Sequence, residues 1–192
     1  MINAAVSHLA VQLNQYLRQA YALPEDIVTM SGLVDAEGHA APNTANKLVV
    51  FLTNIEKDTV PYRQQQAGEG GTARAVLSTP PLYLNLYVMI AANFSGANYA
   101  EALKLISGAV SYFQRFPVFD RQRSPGLDPS IEKLILDIEN LKIHELSNIW
   151  TLLGGKYLPS VLYKVRMVAL EPDDVVGMAP TVRMPASSAV NH

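Results

Sequence analysis

Cysteine is absent from these 192 residues. That removes disulfides and thiolate metal sites from consideration, and gives no sign of maturation in an oxidising compartment. Charge is scarce as well: Asp, Glu, Lys and Arg make up 17% of the chain and sum to −2, against about 25% charged residues in typical soluble domains. A balance this small and mixed in sign leaves no electrostatic footprint for nucleic acid or an anionic membrane. It does leave more of the surface apolar than a free monomer usually carries, which burial against partner subunits would explain. No long hydrophobic run is present, since the longest, Leu82 to Ala92, contains Asn85 and is about half of the roughly 20 residues that span a bilayer. The opening MINAAVSHLAVQLNQ has no basic start, and His8, Gln12 and Asn14 interrupt its apolar positions. An export signal is therefore not expected, and a soluble, cytoplasmic protein without direct membrane insertion is.

What is present is enough for one core. A chain of this length with 49% hydrophobic residues is expected to form a single domain. Ile2, Val6, Leu9, Leu13, Tyr16 and Ala20 recur at spacings of four and three, which predicts a helix to about Tyr21, stopped by Pro24. A short strand is expected around Ile27 to Leu33, a loop over Asp35 to Asn46, and a second strand over Leu48 to Ile55. From Lys57 to Thr79 the chain turns polar and glycine-rich, and reads as a long, mobile connection.

Pro80 and Pro81 open the next strand, with Leu82, Leu84, Leu86, Val88 and Ile90 on one face and Tyr83, Asn85, Tyr87 and Met89 on the other. Two apolar faces predict a central strand covered by helices on one side and by another subunit on the other. Asn98 with Glu101 has the spacing of a capping box, and Ala102, Leu105, Ile106, Ala109, Val110 and Phe113 supply the stripe of a central helix ending before Pro117. Val118 to Asp120 is expected to form a short edge strand, and RQRSPGLDP a turn carrying Arg121 and Arg123. Ile131 to Leu141 fits both helical spacing and alternation, so periodicity leaves it open.

His144 to Leu153 predicts a short late helix closed by Gly154 and Gly155, without a serine-type cap because Lys142 stands three residues before Glu145. Tyr157 to Leu170 is expected to be the last strand, and Glu171 to His192 an extended tail. The fold class is α+β: one domain over 1–170 with a mixed or mostly antiparallel sheet of about four to six strands, packed by the three helices.

Chemistry finds little footing. His144 and Glu145 begin a metalloprotease-like pair, but the second ligand position is Asn148. His8, His39 and His192 share no ligand spacing with it. Ser130 to Lys133 spells SIEK without the companion elements of penicillin-recognising enzymes, and Ser160 lacks the glycines of a nucleophile elbow. Asp173 and Asp174 are adjacent, point apart and read as solvated. Gly68, Gly70 and Gly71, with Arg63 and Arg74, admit a nucleotide-binding module as an alternative, but no Lys-Ser/Thr pair accompanies them. Trp150 reads as a core anchor, while some of Tyr83, Tyr87, Tyr157 and Tyr163 are candidates for an intersubunit face. No catalytic residue, metal or cofactor is expected.

Three ordered blocks carry more information: PPLYLNLYVMIAANF from Pro80, NYAEALKLISGAVSYFQRFPVF from Asn98 and NIWTLLGGKYLPSVLYKVRMVAL from Asn148. Together they resemble the tail terminator, or sheath and tube cap, family of phage-tail-like contractile injection systems of the antifeeding-prophage and virulence-cassette type. The resemblance covers about Met1 to Leu170 and favours a strand for Ile131 to Leu141. It implies a structural cap without enzymatic activity: a homo-oligomer, a hexameric ring on the last tube and sheath layers, ending polymerisation and anchoring the sheath end. Its partners would be the tube and sheath proteins of the same particle. Another structural part, a baseplate or tube adaptor, is the alternative within the same machine. Some relatives are longer, with an extra C-terminal domain, and roles tied to that domain are not expected of these residues. Candidate assembly contacts are Tyr62, Arg63 and Arg74 in the glycine-rich loop, Arg121 and Arg123 in the turn, and Val175 and Val176 in the tail. The loop and the tail are the expected docking arms.

Overall fold

The computed structural model of the chain describes residues 1–35, 37–59 and 82–169. Helix α1 (Ile2–Tyr21) buries Val6, Leu9 and Leu13 of the predicted stripe, but the buried line continues through Leu17 and includes Ala5, while Tyr16 is half-buried and Ala20 exposed. It ends where Ala22 takes the left-handed conformation, φ 52°, and its N–H closes on the Arg18 carbonyl. From the second half of α1, the Asn14 side chain reaches the chain's return: its Oδ1 accepts the N–H groups of Ile27 (2.9 Å) and Val28 (3.1 Å). These bonds seat strand β1 (Val28–Met30) beside the helix.

The remaining strands are β2 (Lys47–Lys57), β3 (Leu82–Asn93), β4 (Val118–Asp120), β5 (Ile131–Ile138) and β6 (Ser160–Ala169). They form one six-stranded sheet in the order β1-β2-β3-β6-β5-β4. Only β1 and β2 run parallel; β2–β3, β3–β6, β6–β5 and β5–β4 are antiparallel. The sheet is therefore mixed. The open segment Ile131 to Leu141 resolves as a strand because β6 on one side and β4 on the other complete its ladder. Strand β2 runs through Lys57, past the expected start of the loop, and Asp58 pairs with Arg166 of β6 at 3.2 Å.

Helix α2 (Tyr99–Arg115) follows a 3₁₀ turn at Gly96–Asn98. Asn98 occupies its cap position, but the side chain makes no cap bond and instead donates to Asn46 Oδ1 at 3.4 Å. Helix α3 (Ile143–Leu152) starts at Lys142, whose N–H is accepted by the Glu145 carboxylate at 2.7 Å. That is half of a capping box, the lysine having no oxygen to return. The helix closes as predicted on Gly154 (φ 98°) and Gly155 (φ 76°), with Gly155 N–H on the Trp150 carbonyl at 2.7 Å.

Two cores lie on opposite faces of the sheet. The larger packs α1 and α2 onto Leu48, Val50, Leu86, Val88 and Ile90. The smaller packs Trp150 of α3 onto Val49, Phe51, Met89, Ala91 and Leu162. This corrects the expectation for the second face of β3, since α3 of the same chain covers its Met89 end. A partner subunit is not needed there, because the β5–α3–β6 connection is long enough to fold back over the sheet.

Tyr163 also departs from its expected role. It is 3% exposed in the larger core, edge-on to Phe113 at 5.2 Å, and so is not available to an intersubunit face. Its hydroxyl has no hydrogen-bond partner among the described residues, and burial pushes its pKa up to about 12. An unsatisfied buried hydroxyl costs about 1–3 kcal/mol. Tyr163→Phe is therefore expected to leave stability unchanged or to raise it by about 1–2 kcal/mol in urea denaturation, and a loss above about 1 kcal/mol would mean the hydroxyl has a partner.

Candidate assembly surface

Arg121 and Arg123 sit together on the turn between β4 and β5, which its own carboxylates hold in shape. Asp120 Oδ1 accepts the N–H groups of Gln122 (3.1 Å) and Arg123 (2.9 Å), and the Asp120 carbonyl accepts Ser124 N–H at 2.8 Å. Asp128 Oδ1 accepts both the hydroxyl (2.5 Å) and the N–H (2.8 Å) of Ser130. These bonds from Ser130 hold the Asp128 carboxyl below its ordinary range. Arg121 spends one donor on the Pro129 carbonyl inside the turn. Arg123 points outward, 70% exposed, with only a 4.0 Å approach to Asp120.

Arg123 also lines a groove of about 400 Å³ with Gln12, Tyr16 and Gln19 of α1, Arg115 and Phe116 at the end of α2, and Val118 of β4. Phe116 is 47% exposed there, and the groove opens along the outer edge of β4, the last strand of the sheet. Among the described residues no acidic side chain lines it. A half-apolar groove with two guanidinium groups, beside a strand edge that no described strand pairs, has the chemistry to receive an extended segment carrying a carboxylate. Sequence reasoning found Arg123 but missed Arg115 and the glutamines. Their signal was the polar recurrence Gln12, Gln15, Gln19 alongside the core stripe of α1.

Among the described residues the opposite edge is covered only in part. Strand β1 pairs with only Leu48 to Val50 of the eleven-residue β2. Beyond it, a register shift between Leu52 and Asn54 bends β2 away, and Asn54 to Lys57 are exposed. On the second face, α3 presents Ile143 (87% exposed) and Leu152 (86%), with Tyr157 beside them at 58%. Of the tyrosines weighed as contact residues, Tyr157 thus stands on the surface, whereas Tyr87 donates its hydroxyl to Glu56 at 2.9 Å. Tyr62, Arg63, Arg74, Val175 and Val176 lie outside the described residues, as does the Gly68 to Gly71 cluster.

The described histidines stand apart from one another. His8 is buried and edge-on to Phe119 at 5.6 Å, and desolvation holds its pKa below the ordinary value. His39 is exposed beside Asp35 (3.7 Å) in a surface loop. Among the described residues no three His, Cys, Asp or Glu side chains stand together as metal ligands would. Among the same residues no helix is long and apolar enough to cross a membrane.

Residues 5–184 match the family model described as the Pvc16 N-terminal domain. Among solved structures, the fold is similar to the PVC sheath/tube terminator of an extracellular contractile injection system in its extended state, with a TM-score of 0.58 at 16% identity. It is also similar to the tube-terminating cap of the anti-feeding prophage, with a TM-score of 0.50 at 16% identity. These alignments cover 100% and 92% of this chain but 64% and 58% of the two structures, so the chain spans less than two thirds of their length. No curated protein sequence matches it.

Proposed function

The chain belongs to the Pvc16 N-terminal domain family, and from that premise we propose that it is a structural cap that ends the tail of a contractile injection system. The observation that carries this reading is the match of one continuous domain, over residues 5–184, together with the shared fold of two structures described as terminators. In this role the protein assembles in the cytoplasm as a homo-hexameric ring on the last tube and sheath layer, and works by covering subunit surfaces that would otherwise template another layer. Such a role calls for shape and edge chemistry, and for no catalytic group.

Three features fit those demands. Val118–Asp120, the outer strand at one edge, is three residues long, so among the described residues that edge offers no long flat ladder for continued stacking. The Arg115–Arg123 groove lies along it. Exposed Ile143 and Leu152 at the two ends of α3, with Tyr157, supply apolar surface suited to a neighbouring subunit.

Particles assembled with a labelled copy of this chain test the reading. Electron microscopy is expected to find the label at a single end of each particle, away from the baseplate, and omission of the protein is expected to broaden the distribution of tube and sheath lengths severalfold. Label at the baseplate, or tails of unchanged length and closed ends without the protein, would rule the cap out.

A further inference from the structure

Arg115 and Arg123 reach one groove from different segments of the chain, and neither guanidinium is neutralised there. Arg115 lies in the last turn of α2, where the helix dipole favours a cation, but among the described residues it makes no ion pair. Arg123 approaches only Asp120, at 4.0 Å, and the Asp120 carboxylate already accepts two N–H groups of its own turn. In a chain whose charges sum to −2, the groove is a local reversal of sign. Gln12, Gln15 and Gln19 recur at spacings of three and four, and bring three amides to the same groove. Among the described residues none of these amides has a hydrogen-bond partner. The remaining lining is aromatic: Tyr16 stacks on Tyr112 at 4.7 Å, and Tyr112 lies 5.4 Å from the exposed ring of Phe116.

We propose that this groove is a docking site for a short acidic segment of another protein, whose carboxylates pair with Arg115 and Arg123 while an apolar side chain rests on Phe116. Each part of the groove answers one demand of such a ligand. A guanidinium holds a carboxylate through paired N–H donors. A glutamine amide both donates and accepts, which matches the C=O and N–H groups of an extended backbone. The exposed ring takes an apolar side chain out of water. A long polyanion such as nucleic acid fits less well, because beyond the two arginines it would meet a chain of net negative charge. The site rests on the cap reading only for its setting, an assembly with neighbouring proteins, so binding in solution can fail while the position on the particle stands, and the reverse.

A fluorescein-labelled peptide, Asp-Glu-Leu-Phe-Glu-Asp, titrated with the full chain and followed by anisotropy provides the test. It is expected to bind at least about tenfold tighter than its uncharged copy, Asn-Gln-Leu-Phe-Gln-Asn, and the double variant Arg115→Gln, Arg123→Gln is expected to abolish that preference. Both arginines are exposed, so the variant keeps the fold. Bound peptide is also expected to slow hydrogen exchange over residues 115–124. Equal affinity for the two peptides, an unaltered preference in the double variant, or protection only elsewhere would each overturn the proposal. So would a gain of about tenfold in peptide affinity on changing Asp173→Asn with Asp174→Asn, which would assign the groove to the chain's own tail. Self-association that the peptide dissolves would assign it to a second copy, and would count equally against a separate partner.

Discussion

Trp150→Ala is expected to remove about 3–5 kcal/mol of stability, a large part of the roughly 5–15 kcal/mol that a domain possesses. Trp150 is 3% exposed and is the one buried residue of α3. A helix of ten residues is shorter than the ~12–15 that hold together alone in water, so α3 depends on this side chain lodging against Met89, Ala91 and Leu162. The loss should be uneven. Amides of α3 are expected to exchange faster, while those of α1 and α2, on the opposite face of the sheet, keep most of their protection. Circular dichroism in urea measures the total and hydrogen exchange the distribution. A total below about 1 kcal/mol would show that α3 is held by something else. Trp150→Phe is expected to cost far less, because the buried indole Nε1–H has no partner among the described residues and its removal offsets part of the lost area.

Gly108→Leu is expected to cost about 1–3 kcal/mol by forcing α1 and α2 apart. A Cβ at position 108 would stand 2.8 Å from Leu17 Cδ2 and 3.0 Å from the Tyr21 hydroxyl, both on α1. Glycine inside a helix is disfavoured against alanine by about 1 kcal/mol, so some gain must offset it here, and the close approach of the two helices supplies one. Gly108→Ala sets these terms against each other. The clashing atoms are the far ends of flexible side chains, so the alanine variant is expected to fall within about 1 kcal/mol of the parent. Thermal unfolding of the two variants separates the effects, and a leucine variant as stable as the parent would show that Gly108 does not set the helix spacing.

Elements with a single strong periodicity were legible in advance. The stripe of α1, the stripe of α2, the alternation of β3 and the Gly154–Gly155 stop of α3 each follow from local spacing or local backbone freedom. Ile131 to Ile138 was not legible, because Leu134 and Ile138 satisfy both periods, and only the ladders with β4 and β6 decide between them. Tyr163 was misjudged for a related reason: its neighbours Phe113 and Leu136 come from distant segments, so nothing local announced its burial. On the assembly surface, Arg121 and Arg123 were visible as a charged turn. Their difference was not, since one bonds its own turn and the other faces a groove.

By itself the sequence determined the domain class, most element positions and the family resemblance, since these rest on spacing, turn chemistry and residue order along the chain. Tertiary structure decided which face each apolar side chain covers, that α3 covers the Met89 end of the second face, and which strands stand outermost among the described residues. The physical reason is that burial and strand order belong to pairs of segments far apart in the chain, and no local pattern records the partner.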